Sequence, residues 1–135
     1  MRLLIDTNIL ISAALFPDSV PARAFIKAVT PPYEAVVCDY SLDEMRRVFN
    51  RKFPHRLNDF ERFVSGLTLA VEMVFTPSRE ECVEGENAIR DVNDRPIFRA
   101  AVNAHVDAIL TGDKDFLESG IIKPKILTAA EFLRA

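Results

Sequence analysis

Short apolar segments alternate with segments of helical periodicity along the whole chain, and this alternation constrains the fold more than any other feature. Continuous apolar runs such as Leu3–Ile5, Ala35–Cys38 and Ala108–Thr111 predict strands that are buried on both faces of a sheet. Between such runs, spacing like that of residues 57 to 69 predicts helices with one apolar face. Strands that alternate with helices favour a central parallel sheet with helices on both faces, so the sequence predicts an α/β domain.

The other predicted elements complete this alternation. The chain has 135 residues, the size of one ordinary domain, and no linker or internal repeat divides it, so residues 1–135 are expected to form one domain. Thr128 followed by Glu131 is a capping box that opens a final helix. The remaining predictions are helices over residues 9–15, 22–29, 41–52 and 96–105, and strands over residues 71–75 and 125–127.

Composition excludes several classes of protein. Apolar residues make up 49% of the chain and charged residues 27%, which is typical of a globular protein and not of a disordered one. The apolar run at residues 9–16 is too short to span a bilayer, and Asp6 comes too early for a signal peptide, so a cytoplasmic protein with no membrane partner is expected. Cys38 and Cys82 have no metal-binding spacing, which predicts a buried thiol and a surface thiol.

Acidic residues follow the predicted strands, at the edge where parallel α/β sheets bind ligands. Carboxylates that share one site raise each other's pKa, so protons or a cation must neutralise them. Oxygen ligands suit Mg²⁺ or Mn²⁺, and such a cation would let a chain of net charge −3 approach phosphate. The acids placed at this edge are Asp6, Asp39, Glu44, Asp94 and Asp113.

Each of these acids also has a structural interpretation that the residues alone leave open. Asp6 and Asp94 could cap the helices that follow them. Ser41 and Glu44 have the spacing of a capping box, which alone would explain the glutamate. Asp113 follows a glycine, as in many surface turns. The shared position of the acids therefore carries the functional hypothesis, and no single acid does.

Five segments, in order, resemble the motifs of the PIN-domain family. The first is Asp6-Thr7-Asn8 after an apolar strand, and the second is the stretch around Glu44. The third and fourth are residues 91–96 and residues 110–117. The ending at residues 126–133 is similar to a branch of toxins from toxin–antitoxin pairs. The resemblance covers nearly the whole chain, and although each motif is weak alone, the ordered set is fairly specific.

The resemblance implies a PIN-like three-layer α/β/α domain that acts as a metal-dependent ribonuclease. Such a protein is often a VapC-like toxin that a cognate antitoxin holds inactive, and a homodimer is expected from the family. The substrate would be RNA and the cofactor Mg²⁺ or Mn²⁺. By position, the catalytic and metal-binding acids would be Asp6, Glu44, Asp94 and Asp113, supported by Asn8, Thr111 and Asp115, with Asp91 replacing Asp94 if the alignment shifts.

The sequence departs from the family pattern at two positions and adds a basic cluster. Arg95 stands where the family often has an acid or polar residue, and it would either contact phosphate or weaken metal binding. Asp39 stands where a small hydroxyl residue is common, so it would add charge or only end the strand. Arg46, Arg47, Arg51 and Lys52 would either contact the RNA backbone or form a solvated helix face.

Other functions fit the sequence less well. A phosphatase of the haloacid-dehalogenase type needs a second aspartate two residues after Asp6, but Asn8 occupies that position and is a poor general acid. No phosphate-binding loop of the P-loop type exists. The remaining alternative is a catalytically silent PIN-like domain that binds RNA or protein, because fold alone does not fix function.

Overall fold

The computed structural model describes all 135 residues and contains one five-stranded sheet in which every neighbouring pair of strands is parallel. The strand order is β3-β2-β1-β4-β5, so the first strand lies at the centre. This arrangement confirms the predicted α/β class and the parallel sheet. The strands are β1 Arg2–Ile5, β2 Glu34–Cys38, β3 Glu72–Val74, β4 Ala108–Leu110 and β5 Lys125–Leu127.

Seven α-helices connect and cover the strands. The four-residue helix α6 was not predicted, because it is too short to show a periodicity and begins where Asp113 accepts a hydrogen bond from the backbone N–H of Asp115. The predicted capping box of Thr128 and Glu131 is confirmed. The helices are α1 Thr7–Leu15, α2 Val20–Ala28, α3 Asp39–Lys52, α4 Leu57–Ala70, α5 Arg95–Asn103, α6 Lys114–Leu117 and α7 Ala129–Arg134.

The sheet is the middle of three layers because alternate strand residues point to opposite faces. Leu3 and Ile5 pack into a buried cluster with helices α1, α2, α3, α4 and α7. Leu4, between them, packs into a second cluster on the other face with α5 and α6. Strands buried on both faces explain the continuous apolar runs of the sequence. The predicted burial of Cys38 and exposure of Cys82 are confirmed.

The capping box predicted at Ser41 is wrong. Helix α3 begins at Asp39, two residues earlier, and its N-cap position is Cys38, which makes no side-chain cap bond. Ser41 is fully buried inside the first turn, with its Oγ 3.3 Å from the Sγ of Cys38. Glu44 therefore has no capping role in this helix, and the structural explanation for a glutamate at that position is removed.

No single helix is long and apolar enough to cross a membrane. Only α1 and α2 taken together reach that length and composition, and they are bent by 110° relative to each other.

Candidate metal centre

Asp6 lies directly after the central strand and is held by two donors. The side chain is only 2% exposed. Its Oδ1 accepts a hydrogen bond of 2.8 Å from the backbone N–H of Thr7, and its Oδ2 accepts one of 2.6 Å from the hydroxyl of Thr111. Burial nevertheless raises the pKa of Asp6 to about 6, with a smaller contribution from the nearby charges of Asp113 and Glu44. The two hydrogen bonds thus fix the orientation of the carboxylate, while burial and the neighbouring acids make its ionised form unfavourable.

Thr111 links the acids of two strands. It is fully buried after β4 and donates its hydroxyl hydrogen to Asp6, as described above. The same Oγ1 accepts a hydrogen bond of 3.0 Å from the backbone N–H of Asp113. The short side chain therefore sets the position of Asp6 relative to Asp113, although 105 residues separate Asp6 from Thr111.

Asp94 precedes helix α5 but does not cap it, so the capping interpretation fails for this residue. Its side chain makes no cap hydrogen bond, the residue is 7% exposed, and its buried Oδ2 has no hydrogen-bond partner. Burial, followed by the charges of Asp113 and Asp6, raises the pKa of Asp94 to about 8. A buried carboxylate oxygen without a donor is unusual and calls for a ligand or a proton.

These acids line one cleft at the carboxyl edge of the sheet, which we call the acid cleft. Its volume is about 200 Å³, and no lysine, arginine or histidine lines it. Thr7, which the sequence reasoning did not select, contributes a buried hydroxyl that has no hydrogen-bond partner. Only its place between Asp6 and Asn8 could have drawn attention to it. The acid cleft is lined by Asp6, Thr7, Asn8, Ile11, Glu44, Val48, Asp91, Asn93, Asp94 and Asp113.

The donor set of the acid cleft fits a hard divalent cation. Five carboxylates, two amides and a free hydroxyl offer oxygen atoms, which are the ligands that Mg²⁺ and Mn²⁺ prefer. Two oxygen atoms in this set, the Oγ1 of Thr7 and the Oδ2 of Asp94, are buried and have no partner within the protein. A cation would both satisfy these atoms and neutralise the crowded acids.

Asp91 and Asp115 lie beside Asp94 in different roles. Oxygen atoms of the three carboxylates lie within 4.8 Å of one another. The Oδ1 of Asp115 already accepts hydrogen bonds of 2.9 Å and 2.6 Å from the guanidinium of Arg90. The Oδ1 of Asp91 accepts one of 2.9 Å from the backbone N–H of Asn93. Asp91 and Asp94 both line the acid cleft, whereas Asp115 does not, which suits a supporting role for Asp115.

Asp39 does not line the acid cleft. Its Oδ1 accepts hydrogen bonds from the backbone N–H of Tyr40 at 2.8 Å and from the hydroxyl and backbone N–H of Thr76 at 2.6 Å and 2.9 Å. Thr76 follows β3, the neighbour of β2 in the sheet. Of the two roles considered for Asp39, the structure therefore supports the one in which it ends a strand.

The basic residues after Glu44 divide between two sides of helix α3. Arg47 and Arg51 line a groove that also includes Glu44, next to the acid cleft. Arg46 faces helix α4, where its guanidinium lies 5.1 Å from the ring centre of Phe60 and 3.8 Å from Glu61. The remaining two candidates are Lys52, which is exposed, and Arg95, which lines a separate and larger cleft.

A family model described as PIN domain matches residues 2–115, which includes every acid of the acid cleft. The chain is a PIN-domain protein. No curated protein matches the sequence at a significant level.

Solved structures share the PIN-domain fold of this chain at low sequence identity. VapBC2 from Rickettsia felis, bound to a DNA fragment from its promoter, has a TM-score of 0.69 and 14% identity over 95% of this chain and 98% of that one. VapC20 of Mycobacterium tuberculosis, described as a toxin that cleaves the sarcin–ricin loop, has a TM-score of 0.63 and 16% identity over 90% and 97%. VapBC-1 from nontypeable Haemophilus influenzae has a TM-score of 0.64 and 16% identity over 96% and 99%.

Proposed function

We propose that this PIN domain is a metal-dependent ribonuclease whose Mg²⁺ or Mn²⁺ is held by Asp6, Glu44, Asp94 and Asp113. The observation that carries the proposal is the composition of the acid cleft, where five carboxylates meet without a single cation of the protein. Two of these carboxylates are more than nine-tenths buried, and burial raises the pKa of both. Such a site is unstable alone and becomes stable when a cation is bound.

The residues of the acid cleft would have different roles in phosphodiester hydrolysis. When bound, a divalent cation supplies a Lewis acid for the phosphate and lowers the pKa of water. Thr111 and the backbone N–H of Thr7 hold Asp6 in one orientation, so this ligand is in place before the substrate arrives. Asn8 is exposed at the mouth of the cleft, where its amide would orient the incoming phosphate.

Arginines close to the cleft would hold the RNA backbone. Arg47 and Arg51 line the groove that adjoins Glu44, and both are exposed. Phosphate contacts of this kind give affinity without sequence preference and weaken with salt. Arg46 faces helix α4 instead, so we assign it no contact with RNA.

We further propose that the protein is the toxin of a toxin–antitoxin pair, with a cognate antitoxin as its partner. The support is the family membership together with the fold likeness to VapC20, which is described as a toxin that cleaves the sarcin–ricin loop. The homodimer expected from the family stays a prediction, to be tested by light scattering of the purified protein.

The decisive experiment is cleavage of single-stranded RNA by the purified protein with Mn²⁺, Mg²⁺ or EDTA. Asp6→Asn should reduce metal-dependent cleavage at least about a hundredfold, since it removes a buried ligand charge. The control is Asp18→Asn, the same chemical change at an exposed residue outside the acid cleft, and it should cleave as the wild type does. Cleavage that persists in EDTA, or in a folded Asp6→Asn protein, would contradict the proposal.

A melting experiment separates a nuclease from a silent binding domain that lacks the metal. A ligand that binds only the native state raises the melting temperature. We expect Mn²⁺ to raise the melting temperature of the wild type and of Asp18→Asn but not that of Asp6→Asn. If Mn²⁺ leaves the wild type unchanged and no RNA is cut, the silent domain is the better description.

A further inference from the structure

A second and larger cleft adjoins the acid cleft, and we call it the polar cleft. Its volume is about 640 Å³, within the range of about 300–1,000 Å³ that is usual for ligand sites. Asn93 lines both clefts, so the two clefts meet at this residue. The residues of the polar cleft that matter here are Tyr40, Asp43, Arg79, Glu86, Arg95 and Arg99.

Arg99 is a buried cation that the protein holds rigidly in this cleft. The residue is only 5% exposed. Its Nη1 donates a hydrogen bond of 3.1 Å to the carbonyl oxygen of Pro77, and its Nε lies 3.4 Å from the Oε2 of Glu86. Glu86 is buried too and accepts a hydrogen bond of 2.9 Å from the backbone N–H of Val83. Because Arg99 is buried and paired, its guanidinium has a fixed position in the cleft, unlike that of an exposed arginine.

The other charged groups of the polar cleft that matter here make fewer hydrogen bonds and ion pairs within the protein. Arg95 donates its Nε to the carbonyl oxygen of Ile89 at 3.0 Å, which anchors the side chain while its two terminal nitrogens make no hydrogen bond to the protein. Arg79 and Asp43 are exposed, and neither takes part in an ion pair. The cleft thus offers arginine donors and a free carboxylate acceptor to the same ligand.

The charge balance of the polar cleft argues against a simple phosphate site. Arg79, Arg95 and Arg99 are matched by three acids of the lining, namely Asp39, Asp43 and Glu86. A cleft for phosphate alone would carry excess positive charge. A neutral cleft with both donors and acceptors fits the edge of a nucleobase, which also presents both.

Guanine is the base whose edges match this lining best. Its O6 and N7 accept hydrogen bonds from arginine, the commonest specific contact to any base. Its N1–H and N2–H₂ groups lie side by side and can donate to the two oxygens of one carboxylate, as Asp43 provides. Adenine has a hydrogen-bond acceptor at N1 where guanine has N1–H, and pyrimidines lack N7. Tyr40 lines the same cleft and offers a ring on which a splayed base can stack.

We propose that the polar cleft binds a guanine of the single-stranded RNA beside the scissile phosphate and so determines where the chain cuts. Arg95 and Arg79 donate to the Hoogsteen edge, Asp43 accepts from the Watson–Crick edge, and Tyr40 stacks on the base. This inference rests on the proposed ribonuclease function for the position of the cut, but the binding of guanine is measurable without cleavage.

The test is the affinity of the protein for oligouridines of about eight nucleotides in EDTA and low salt, where no metal-dependent cleavage occurs. One member of the series carries only uridine, and the others carry a single central G, A or C. The G-containing RNA should bind about tenfold to a hundredfold more tightly than the others, which is the usual discrimination by one bidentate contact.

Asp43→Asn tests the assignment of the carboxylate, because the amide has the same shape but presents a donor where guanine needs an acceptor. It should bring the affinity for the G-containing RNA down to that of oligouridine, while Asp18→Asn keeps the preference. Asp43 is exposed and lies outside the acid cleft, and the matched control Asp18→Asn, which changes neither cleft, should leave metal-dependent cleavage unchanged.

The possible outcomes distinguish this inference from the proposed function. Equal affinity for all four RNAs, no measurable affinity for any of them, or a guanine preference that survives in Asp43→Asn would overturn the guanine site, even if the protein cleaves RNA. A guanine preference lost in Asp43→Asn supports the site, even if no cleavage is found.

Discussion

Both edges of the sheet carry several charged side chains. Those at the amino edge are paired with opposite charges, whereas the carboxylates of the acid cleft at the carboxyl edge are not. At the amino edge, the guanidinium of Arg2 donates to both carboxylate oxygens of Glu72, at 3.0 Å and 2.7 Å, and to Glu34 at 3.4 Å. The backbone N–H of Arg2 also donates to Asp107. At the carboxyl edge, the acid cleft gathers five carboxylates with no cation among its lining residues.

The difference shows that unpaired acids are not a general property of this chain. Where the fold needs only stability, an arginine begins the central strand and neutralises the acids of its neighbours. Where acids are left without cations, Asp6 and Asp94 are also buried, which destabilises the protein until a cation or protons arrive. The carboxyl edge is thus arranged for a ligand at the expense of the metal-free fold.

The largest expected effect concerns Asp94 at the unpaired edge. Because its pKa is raised above the value of the unfolded chain, the metal-free protein should lose stability as pH rises from about 4 through about 8. Asp94→Asn removes the buried charge and should raise the free energy of unfolding by about 3 kcal/mol at pH 9 in EDTA. Urea denaturation at several pH values measures the effect.

The same experiment has a built-in control. Asp18→Asn changes an exposed carboxylate and should follow the wild-type dependence on pH. If the free energy of unfolding of Asp94→Asn at pH 9 is no higher than that of the wild type, the charge of Asp94 does not destabilise the protein. The proposed difference between the two edges would then be wrong.

An intermediate effect is expected for Thr111→Val. The change removes the hydroxyl that donates to Asp6 and accepts from the backbone N–H of Asp113. Since a hydrogen bond to a charged group contributes about 1.5–3 kcal/mol, the variant should lose about 2 kcal/mol of stability at pH 8. The pKa of Asp6 should also rise further, which carbon NMR of its carboxyl group would measure. An unchanged pKa would mean that Thr111 does not hold Asp6.

The smallest effect is expected at the paired edge. Glu72→Gln removes the carboxylate from an ion pair with Arg2 in which the glutamate side chain is 54% exposed. Exposed pairs contribute at most about 1 kcal/mol, and salt screens them. Urea denaturation should show a loss of this size in low salt and almost none at high salt. A loss as large as that of Thr111→Val would show that both edges matter equally to the fold.

The sequence was a good guide wherever a local pattern determines the structure. Continuous apolar runs identified the buried strands, and the rule that parallel strands end at one edge brought Asp6, Glu44, Asp94 and Asp113 to one cleft. Capping boxes were less reliable. The pattern at Thr128 is a real cap, whereas the same pattern at Ser41 lies inside helix α3, because tertiary packing buries the serine.

Contacts between residues far apart in the chain were beyond the reach of sequence patterns. Nothing local to Asp39 shows that Thr76 occupies its carboxylate, and nothing local to Asp115 shows that Arg90 does. The buried hydroxyl of Thr7 was missed for a related reason, since an unpartnered atom becomes visible only when all its neighbours are known. The polar cleft likewise combines residues of α3, α5 and the segment after β3.

The hydrogen bond between Thr111 and Asp6 has a consequence for the protein during its synthesis. When only the first half of the chain has emerged from the ribosome, Asp6 and Glu44 are outside it, but Asp94, Thr111 and Asp113 are not. Strand β1 then has β2 beside it but lacks β4, its other neighbour. A nascent chain therefore cannot assemble the acid cleft, and the ribosome that makes this proposed nuclease meets it in active form only after most of the polypeptide has emerged.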